Sequence, residues 1–230
     1  MDPDAEAREL DLLTGSEAAG LLGAALQVTG GELVSCRARQ VVYQPGRGTT
    51  VSYRARVRWS DGALREETLA ACTGDPPAGA VLLEDGADRV AVWRFPHDPD
   101  LPGLPAACDE VAVAGVLDEL GLGSGPVRLR TRAYRPRRRA VVEAIGSRGR
   151  LFIKVVGPDR VEALHLRHRL LVGHGIPAPQ SLGWTPQGIV VLQALPGRTL
   201  RQALRSRTLI PPGDEILALL DRLPPELASG

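Results

Sequence analysis

Residues 150–156 decide the fold of the second half of the chain; they read Arg150-Leu151-Phe152-Ile153-Lys154-Val155-Val156. An apolar run of this length, between Gly149 and Gly157, predicts a buried strand. Lys154 interrupts the run, and an ammonium buried without a partner is strongly unfavourable. A carboxylate or a ligand phosphate would satisfy it, and the helix predicted at 159–172 carries Glu162. We therefore expect Glu162 to pair with Lys154.

Lys154 is also the only lysine among the 28 basic residues, the others all being arginine. One explanation is a site that requires a compact ammonium, because a guanidinium differs from it in shape and hydration. The alternative is the chance retention of a single surface lysine. The composition by itself leaves both explanations open.

The composition of the chain is that of an ordinary globular protein. Of its 230 residues, 43% are hydrophobic and 24% charged, and the net charge is +1. This charge provides no overall attraction to nucleic acid or anionic lipid, so neither is expected as a partner. No apolar run reaches the ~18 residues of a membrane helix, and the acidic N-terminus lacks the features of a signal peptide. Three widely spaced cysteines are interpreted as small buried side chains in a reducing compartment, which favours a cytoplasmic location.

The pattern of apolar residues and turn signals predicts an α+β fold in three parts. Residues 1–105 form a β-rich N-terminal cap with leading helices at 3–27, and residues 106–195 form a second unit with an antiparallel sheet and one helix. Residues 196–230 form a third part with two further helices. A proline-rich connector at 96–105 lies at the division between the first two parts, which is expected near residues 96–106. Strands are predicted at 32–43, 49–59, 64–72, 78–83, 89–95, 127–134, 139–145, 150–156, 181–184 and 189–193, and further helices at 107–120, 199–205 and 214–223.

A weak internal repeat links the first two parts. The pattern Tyr-x-Pro-x-Arg occurs at 43–47 and again at 134–138, each time between two predicted strands. Duplication of a β unit explains it, with only the second copy carrying the lysine. Alternatively, arginine-rich tight turns simply share this composition.

Two segments after the predicted 159–172 helix resemble the aminoglycoside phosphotransferase and choline-kinase-like family. They are His174-Gly175-Ile176-Pro177-Ala178-Pro179 with the following Leu182-Gly183-Trp184, and Leu192-Gln193-Ala194-Leu195-Pro196-Gly197-Arg198-Thr199-Leu200. The resemblance covers about residues 127–204. It implies a kinase-like N-lobe at 106–195, followed at 196–230 by the hinge exit and the first helices of a C-lobe. The cap at 1–105 resembles the one that maltokinases carry before the N-lobe.

The resemblance implies a nucleotide site for ATP with Mg²⁺. A strand lysine, here Lys154, would hold the α- and β-phosphates and pair with a glutamate of the next helix, here Glu162. The backbone of Gln193, Ala194 and Leu195 would bind the adenine edge. The apolar residues expected to sandwich the adenine ring are Ile145, Ile153 and Leu192.

Two of these assignments have alternatives. The turn at 136–139 lies where kinases place the loop over the phosphates, and it offers Arg138 as a phosphate ligand. It is not glycine-rich, however, and it is also typical of a solvated, charged hairpin tip. Glu162 lies about one helical turn earlier than the family pattern requires, and His165 falls nearer that position. Glu162 also fits an exposed first-turn residue that the helix dipole favours.

The family's catalytic residues have no match in the sequence. Such kinases require a catalytic aspartate, a following asparagine and a metal-binding aspartate. After Leu200, the acidic residues are Asp214, Glu215, Asp221 and Glu226, and none lies in such a motif. We therefore expect the N-terminal part of a phosphotransferase acting on a hydroxyl of a sugar, aminoglycoside or amino alcohol. Its metal ligands would lie outside this chain, which alone would be inactive.

One alternative function of the chain is retained, and two proposed sites are set aside. The main alternative is a non-catalytic, pseudokinase-like module that binds a nucleotide or a protein partner. A nucleic-acid binder using the basic run at 128–139 is disfavoured, because only Tyr134 is available there to stack on a base. The motif His97-Asp98-Pro99-Asp100 is interpreted as a connector rather than a metal site.

Overall fold

The structure is a computed structural model, and it describes residues 3–44, 48–85, 88–147, 149–206 and 210–229. The chain forms two compact units. The first comprises Met1–Pro105 and Tyr134–Arg139, and the second comprises Ala106–Ala133 and Ala140–Gly230. Each contains an antiparallel five-stranded sheet and helices, so the predicted α+β class is confirmed.

The first unit places two helices against its sheet. Its elements are α1 (Pro3–Thr14), α2 (Ala18–Gln27), β1 (Gly31–Gln44), β2 (Gly48–Trp59), β3 (Leu64–Cys72), β4 (Val81–Asp85) and β5 (Asp88–Arg94). The strand order is β1-β2-β3-β5-β4. The predicted alternation in β2 buries Val51, Tyr53 and Val57 in one core with Leu13 and Leu22. The hydroxyl of Tyr53 donates to the carbonyl of Leu13 at 2.6 Å, which satisfies the polar atom inside this core.

A short helix, α3 (Leu104–Ala107), follows in the chain, and the second unit continues from it. Its elements are α4 (Glu110–Glu119), β6 (Arg128–Arg135), β7 (Arg139–Gly146), β8 (Gly149–Val155), α5 (Pro158–Gly173), β9 (Ser181–Trp184), β10 (Ile189–Gln193), α6 (Leu200–Ser206), α7 (Gly213–Asp221) and a 3-10 helix (Pro225–Ser229). The strand order, β6-β7-β8-β10-β9, repeats the order of the first sheet. Duplication remains an interpretation of this shared order, and the first copy's hairpin tip at 45–47 lies outside the described residues.

The prediction of one helix at 107–120 is wrong at its start. Asp109 is extended, and its carboxylate accepts hydrogen bonds from the backbone N–H groups of Val111 and Ala112 at 2.9 and 2.8 Å. This is an N-cap, which satisfies donors that a helix start leaves unpaired. The cap makes α4 a separate helix that begins at Glu110.

The two faces of the second sheet bury different residues. On one face, Val156, Val190 and Leu192 pack with Val161 of α5. On the other face, Ile153, Val155 and Val191 are buried, as the period of two along a strand requires. Gly188, between β9 and β10, has a φ of +98°, and an added Cβ would lie 2.1 Å from the carbonyl oxygen of Val156. Only glycine fits this turn, which sets the position of β10 beside β8.

Among the described residues, no helix is both long and apolar enough to cross a membrane.

Candidate functional site

A cleft of about 620 Å³ opens on the face of the second sheet that also carries α5. Its floor is formed by alternate residues of three neighbouring strands, Val141 and Glu143 of β7, Phe152 and Lys154 of β8, and Leu192 of β10. The strand register places Val141 beside Lys154, and Phe152 between Glu143 and Leu192. The floor therefore combines an apolar centre with one acidic and one basic side chain.

The segment that leaves β10 forms one wall of the cleft. It includes Gln193 and Leu195 and continues through Pro196–Arg198 to Thr199 and Gln202 at the start of α6. Thr199 and Gln202 form a capping box: the Thr199 Oγ1 accepts from the Gln202 N–H at 3.2 Å, and the Gln202 Oε1 accepts from the Thr199 N–H at 3.0 Å. This reciprocal bonding fixes the point at which the wall turns into α6.

The structure brings three of the six sequence-predicted site residues to this cleft. Lys154, Gln193 and Leu195 line it, and Ala194 lies between the last two without facing it. The N–H of Gln193 donates to the carbonyl of Gln180 at 2.9 Å, and β10 ends there. Ala194 and Leu195 then continue without regular secondary structure. The expected binding of an adenine edge by this backbone stays a prediction.

The other predicted residues lie elsewhere. Arg138 is exposed in the turn between β6 and β7, and Glu162 is exposed on α5. Of the apolar residues expected to sandwich the ring, Leu192 lines the cleft, whereas Ile153 is buried on the opposite face of the sheet. Ile145 is 50% exposed and outside the described lining of the cleft. Phe152 also lines the cleft, two residues before Lys154 on the same face of β8.

Histidines rather than Glu162 lie on the side of α5 that faces the second sheet. The Nδ1 of His168 donates to the carbonyl of Pro179 at 2.8 Å, and the Nδ1 of His165 bonds the Ser181 hydroxyl at 2.7 Å. Burial lowers the pKa of His168, and the nearby charge of Lys154 lowers it further. Both histidines thus hold α5 to the chain that enters β9. The ion pair between Glu162 and Lys154 stays a prediction.

Basic side chains dominate the charge of the cleft. Arg132, Arg150, Lys154 and Arg198 line it, against one acidic residue, Glu143. Glu143 is only 3% exposed, the Nη2 of Arg132 donates to its Oε2, and the Nη1 of Arg150 lies 3.7 Å from its Oε1. The carboxylate is therefore neutralised by its neighbours, and the remaining charge favours an anionic ligand.

Sequence reasoning missed Glu143, although a signal was present. Glu143 stands in the apolar stretch Val141-Val142-Glu143-Ala144, where a charged side chain requires a partner as Lys154 does. Its partners come from the adjacent strands, β6 and β8, and a single strand does not reveal them.

The turn at 136–139 belongs to the first unit and is not a freely solvated tip. Asp98, 2% exposed, accepts hydrogen bonds from the Tyr134 hydroxyl at 2.8 Å and from the Arg137 N–H at 2.9 Å through Oδ2. Arg137 has a φ of 62°, and its Nε donates to the Oδ2 of Asp100 at 2.7 Å. The connector at 97–100 is thus an anchor for this turn, and only Arg138 and Arg139 extend into solvent.

Burial has the largest effect on the pKa of the Asp98 carboxyl. It raises the pKa of Asp98, and the hydrogen bonds from Arg137, Tyr134 and Asp100 oppose the shift without cancelling it. The Trp93 indole N–H donates to the Tyr134 hydroxyl at 2.9 Å, so the network continues into β5. A buried polar network of this kind fixes one geometry of the turn.

No group of three or more His, Cys, Asp or Glu side chains in the described part of the chain is placed to hold a metal ion. No protein-family model matches the sequence, and no curated protein matches it significantly.

Proposed function

We propose that this chain is the nucleotide-binding part of an ATP-dependent phosphotransferase that phosphorylates a hydroxyl of a small molecule in the cytoplasm. The observation that carries the proposal is the shared cleft: Lys154 lines it together with Gln193 and Leu195 of the segment that leaves β10. The family resemblance implied that these residues belong to one nucleotide site, and they lie far apart in sequence.

The surrounding fold supports the same proposal. Lys154 lies in the third strand of its sheet, and α5 follows that strand directly. Kinases place their phosphate-binding lysine in the third strand and a helix after it. The basic lining of the cleft suits a polyphosphate, and Phe152 with Leu192 offers an apolar surface to a nucleobase.

The residues of the cleft do not fit a Mg²⁺ ion. Magnesium prefers oxygen ligands in octahedral geometry, usually including carboxylates. The cleft offers Glu143, which is already paired with Arg132 and Arg150. We therefore assign no catalytic step and no metal ligand to the described residues of this chain.

The charge of the cleft also favours a second candidate function, a pseudokinase-like module that binds a nucleotide without transferring its phosphoryl group. Transfer requires a base for the acceptor hydroxyl and metal ions on the phosphates. A cleft whose carboxylate is held by two arginines serves binding rather than proton transfer.

Titration calorimetry with ATP and Mg²⁺ tests the proposal. We expect binding by the wild-type chain and its loss in Lys154→Ala, and weaker binding in Lys154→Arg because the guanidinium has a different shape. Arg37→Ala is the control, because it removes one exposed cation of β1 in the first unit. Equal affinity for ATP in the Lys154→Ala variant and the wild type would contradict the proposal.

A further inference from the structure

Arg132, Glu143 and Arg150 form a cluster at one end of the cleft, apart from Lys154, to which the proposed function assigns the α- and β-phosphates. Arg150, Phe152 and Lys154 share one face of β8, so Phe152 separates the cluster from Lys154. Four residues along a strand span about 13 Å, so the backbone positions of Arg150 and Lys154 are well apart. The register of Gln193 with Leu151 puts the cluster at the end of the cleft where β10 exits.

From this arrangement we infer that Arg132 and Arg150 form a second anion-binding subsite, oriented by Glu143, which takes a phosphate or carboxylate group other than the phosphates at Lys154. The inference rests on the proposed function and deepens it, because it names a further anionic group that this cleft can bind.

The chemistry of the cluster suits an anion clamp. The carboxylate of Glu143 is 3% exposed, while the side chains of Arg132 and Arg150 are 40% and 50% exposed. A buried carboxylate between two guanidiniums fixes their directions and leaves one net positive charge. A guanidinium has five N–H donors in a fork that matches phosphate or carboxylate, and the bond from Arg132 to Glu143 uses one of them.

Two sources can supply the anionic group, a second phosphate on the nucleotide itself or a separate anionic ligand that enters at the end of the cleft where β10 exits. The binding chemistry is the same in both cases, so ligands of the two kinds have to be compared by experiment.

Calorimetric titration with pyrophosphate, without nucleotide, tests the subsite first. We expect the Arg132→Met/Arg150→Met double variant to lose at least about tenfold in affinity, because charge-assisted hydrogen bonds are lost. Arg128→Met/Arg130→Met is the matched control: it removes two exposed arginines of β6, the strand of Arg132, that are not among the described residues lining the cleft. An equal loss in this control would reduce the effect to general charge attraction and overturn the inference.

Further probes identify the source of the group. Adenosine 3′,5′-bisphosphate is compared with 5′-AMP, and glucose 6-phosphate is titrated into protein saturated with ATP. An advantage of the bisphosphate that disappears in the double variant assigns the group to the nucleotide. Glucose 6-phosphate binding that disappears there assigns it to a separate anionic ligand. If neither these ligands nor pyrophosphate responds to the double substitution, the subsite does not exist.

Two more variants keep the outcome clear. Arg132→Lys/Arg150→Lys retains the charge and loses the fork, so it should bind pyrophosphate several-fold more weakly even if the methionine variant misfolds. Lys154→Ala should retain the arginine-dependent part of pyrophosphate binding. If Lys154→Ala and the arginine variants abolish the same single binding event, there is one site and the inference is wrong. Arginine-dependent binding without any ATP binding would instead refute only the proposed nucleotide site.

Discussion

Replacing Asp98 by alanine should destabilise the first unit by about 3 kcal/mol. The buried carboxylate accepts from the Tyr134 hydroxyl, the Arg137 N–H and, through Oδ1, the Asp100 N–H at 3.0 Å. An unsatisfied buried donor costs about 1–3 kcal/mol, and removal of the buried charge offsets part of the total. Asp98→Asn keeps one acceptor oxygen and should cost about half as much.

Urea unfolding followed by tryptophan fluorescence measures this loss, and hydrogen exchange of the Arg137 amide locates it. Asp100→Ala is the matched control, because its ion pair with Arg137 is partly exposed and worth about 1 kcal/mol or less. The rate of hydrogen exchange of the backbone amides at 134–139 should rise strongly in Asp98→Ala and slightly in Asp100→Ala. Equal stability of Asp98→Ala and Asp100→Ala would refute the assignment of Asp98 as the anchor.

The raised pKa of Asp98 gives the same prediction a pH dependence. Between the unfolded pKa, about 3.9, and the higher folded pKa, the folded protein binds more protons than the unfolded chain. Its stability therefore falls as pH rises through that window, and Asp98→Asn lacks this contribution. The wild type should lose stability relative to Asp98→Asn on going from below pH ~3.9 to neutral pH; the opposite slope would contradict the direction of the shift.

Gly188→Ala should cost at least about 3 kcal/mol in urea unfolding, whereas Gly149→Ala, also at positive φ but with open space around it, should cost about 1–2 kcal/mol; similar losses would remove the role of the close approach. The lowered pKa of His168 makes its contribution to stability complete above the unfolded pKa of about 6.5, and this contribution is lost as pH falls through the folded pKa. His168→Gln should therefore flatten the decline in the melting temperature of the wild type between pH 7 and pH 5, and an unchanged decline would contradict this role of His168. Glu143→Ala should lower the free energy of unfolding by only about 1 kcal/mol, because Arg132 and Arg150 are partly exposed and can be hydrated once the carboxylate is gone. A loss of about 3 kcal/mol or more in urea unfolding would show instead that Glu143 and its arginines behave as a buried ion pair. A coupled assay of ADP release should show no turnover by this chain across several hydroxyl acceptors, and turnover that disappears in a Lys154 variant would reveal a catalytic base we have missed.

The sequence predicts the elements of this fold well, because each depends on local patterns. The strands at 64–72, 181–184 and 189–193 have the predicted bounds, since turn residues mark both ends of each. The prediction placed the start of the α4 helix at residue 107 instead of Glu110, although Asp109 is a strong N-cap signal.

The candidate site is harder to predict, because its residues meet across strands. Lys154 was recognisable as the one charged residue of an apolar strand, and Leu195 by the motif that surrounds it. Glu143 and Asp98 gave weaker signals, since the partners that bury them lie in other strands or up to 39 residues away. Local sequence shows that a charge needs a partner, and the topology decides which partner it has.

Hydrogen exchange with and without ATP and Mg²⁺ tests the central claim most directly. The expected affinity is weak, with Kd on the order of 1 mM, or about 4 kcal/mol, so ~5 mM ATP occupies most of the sites. We predict protection of residues 193–195 and of 150–156, lost in Lys154→Ala and retained in Arg37→Ala. Nucleotide binding detected by calorimetry with no protection of these two segments, or with the same protection in Lys154→Ala, would contradict the assignment of this cleft as a nucleotide site.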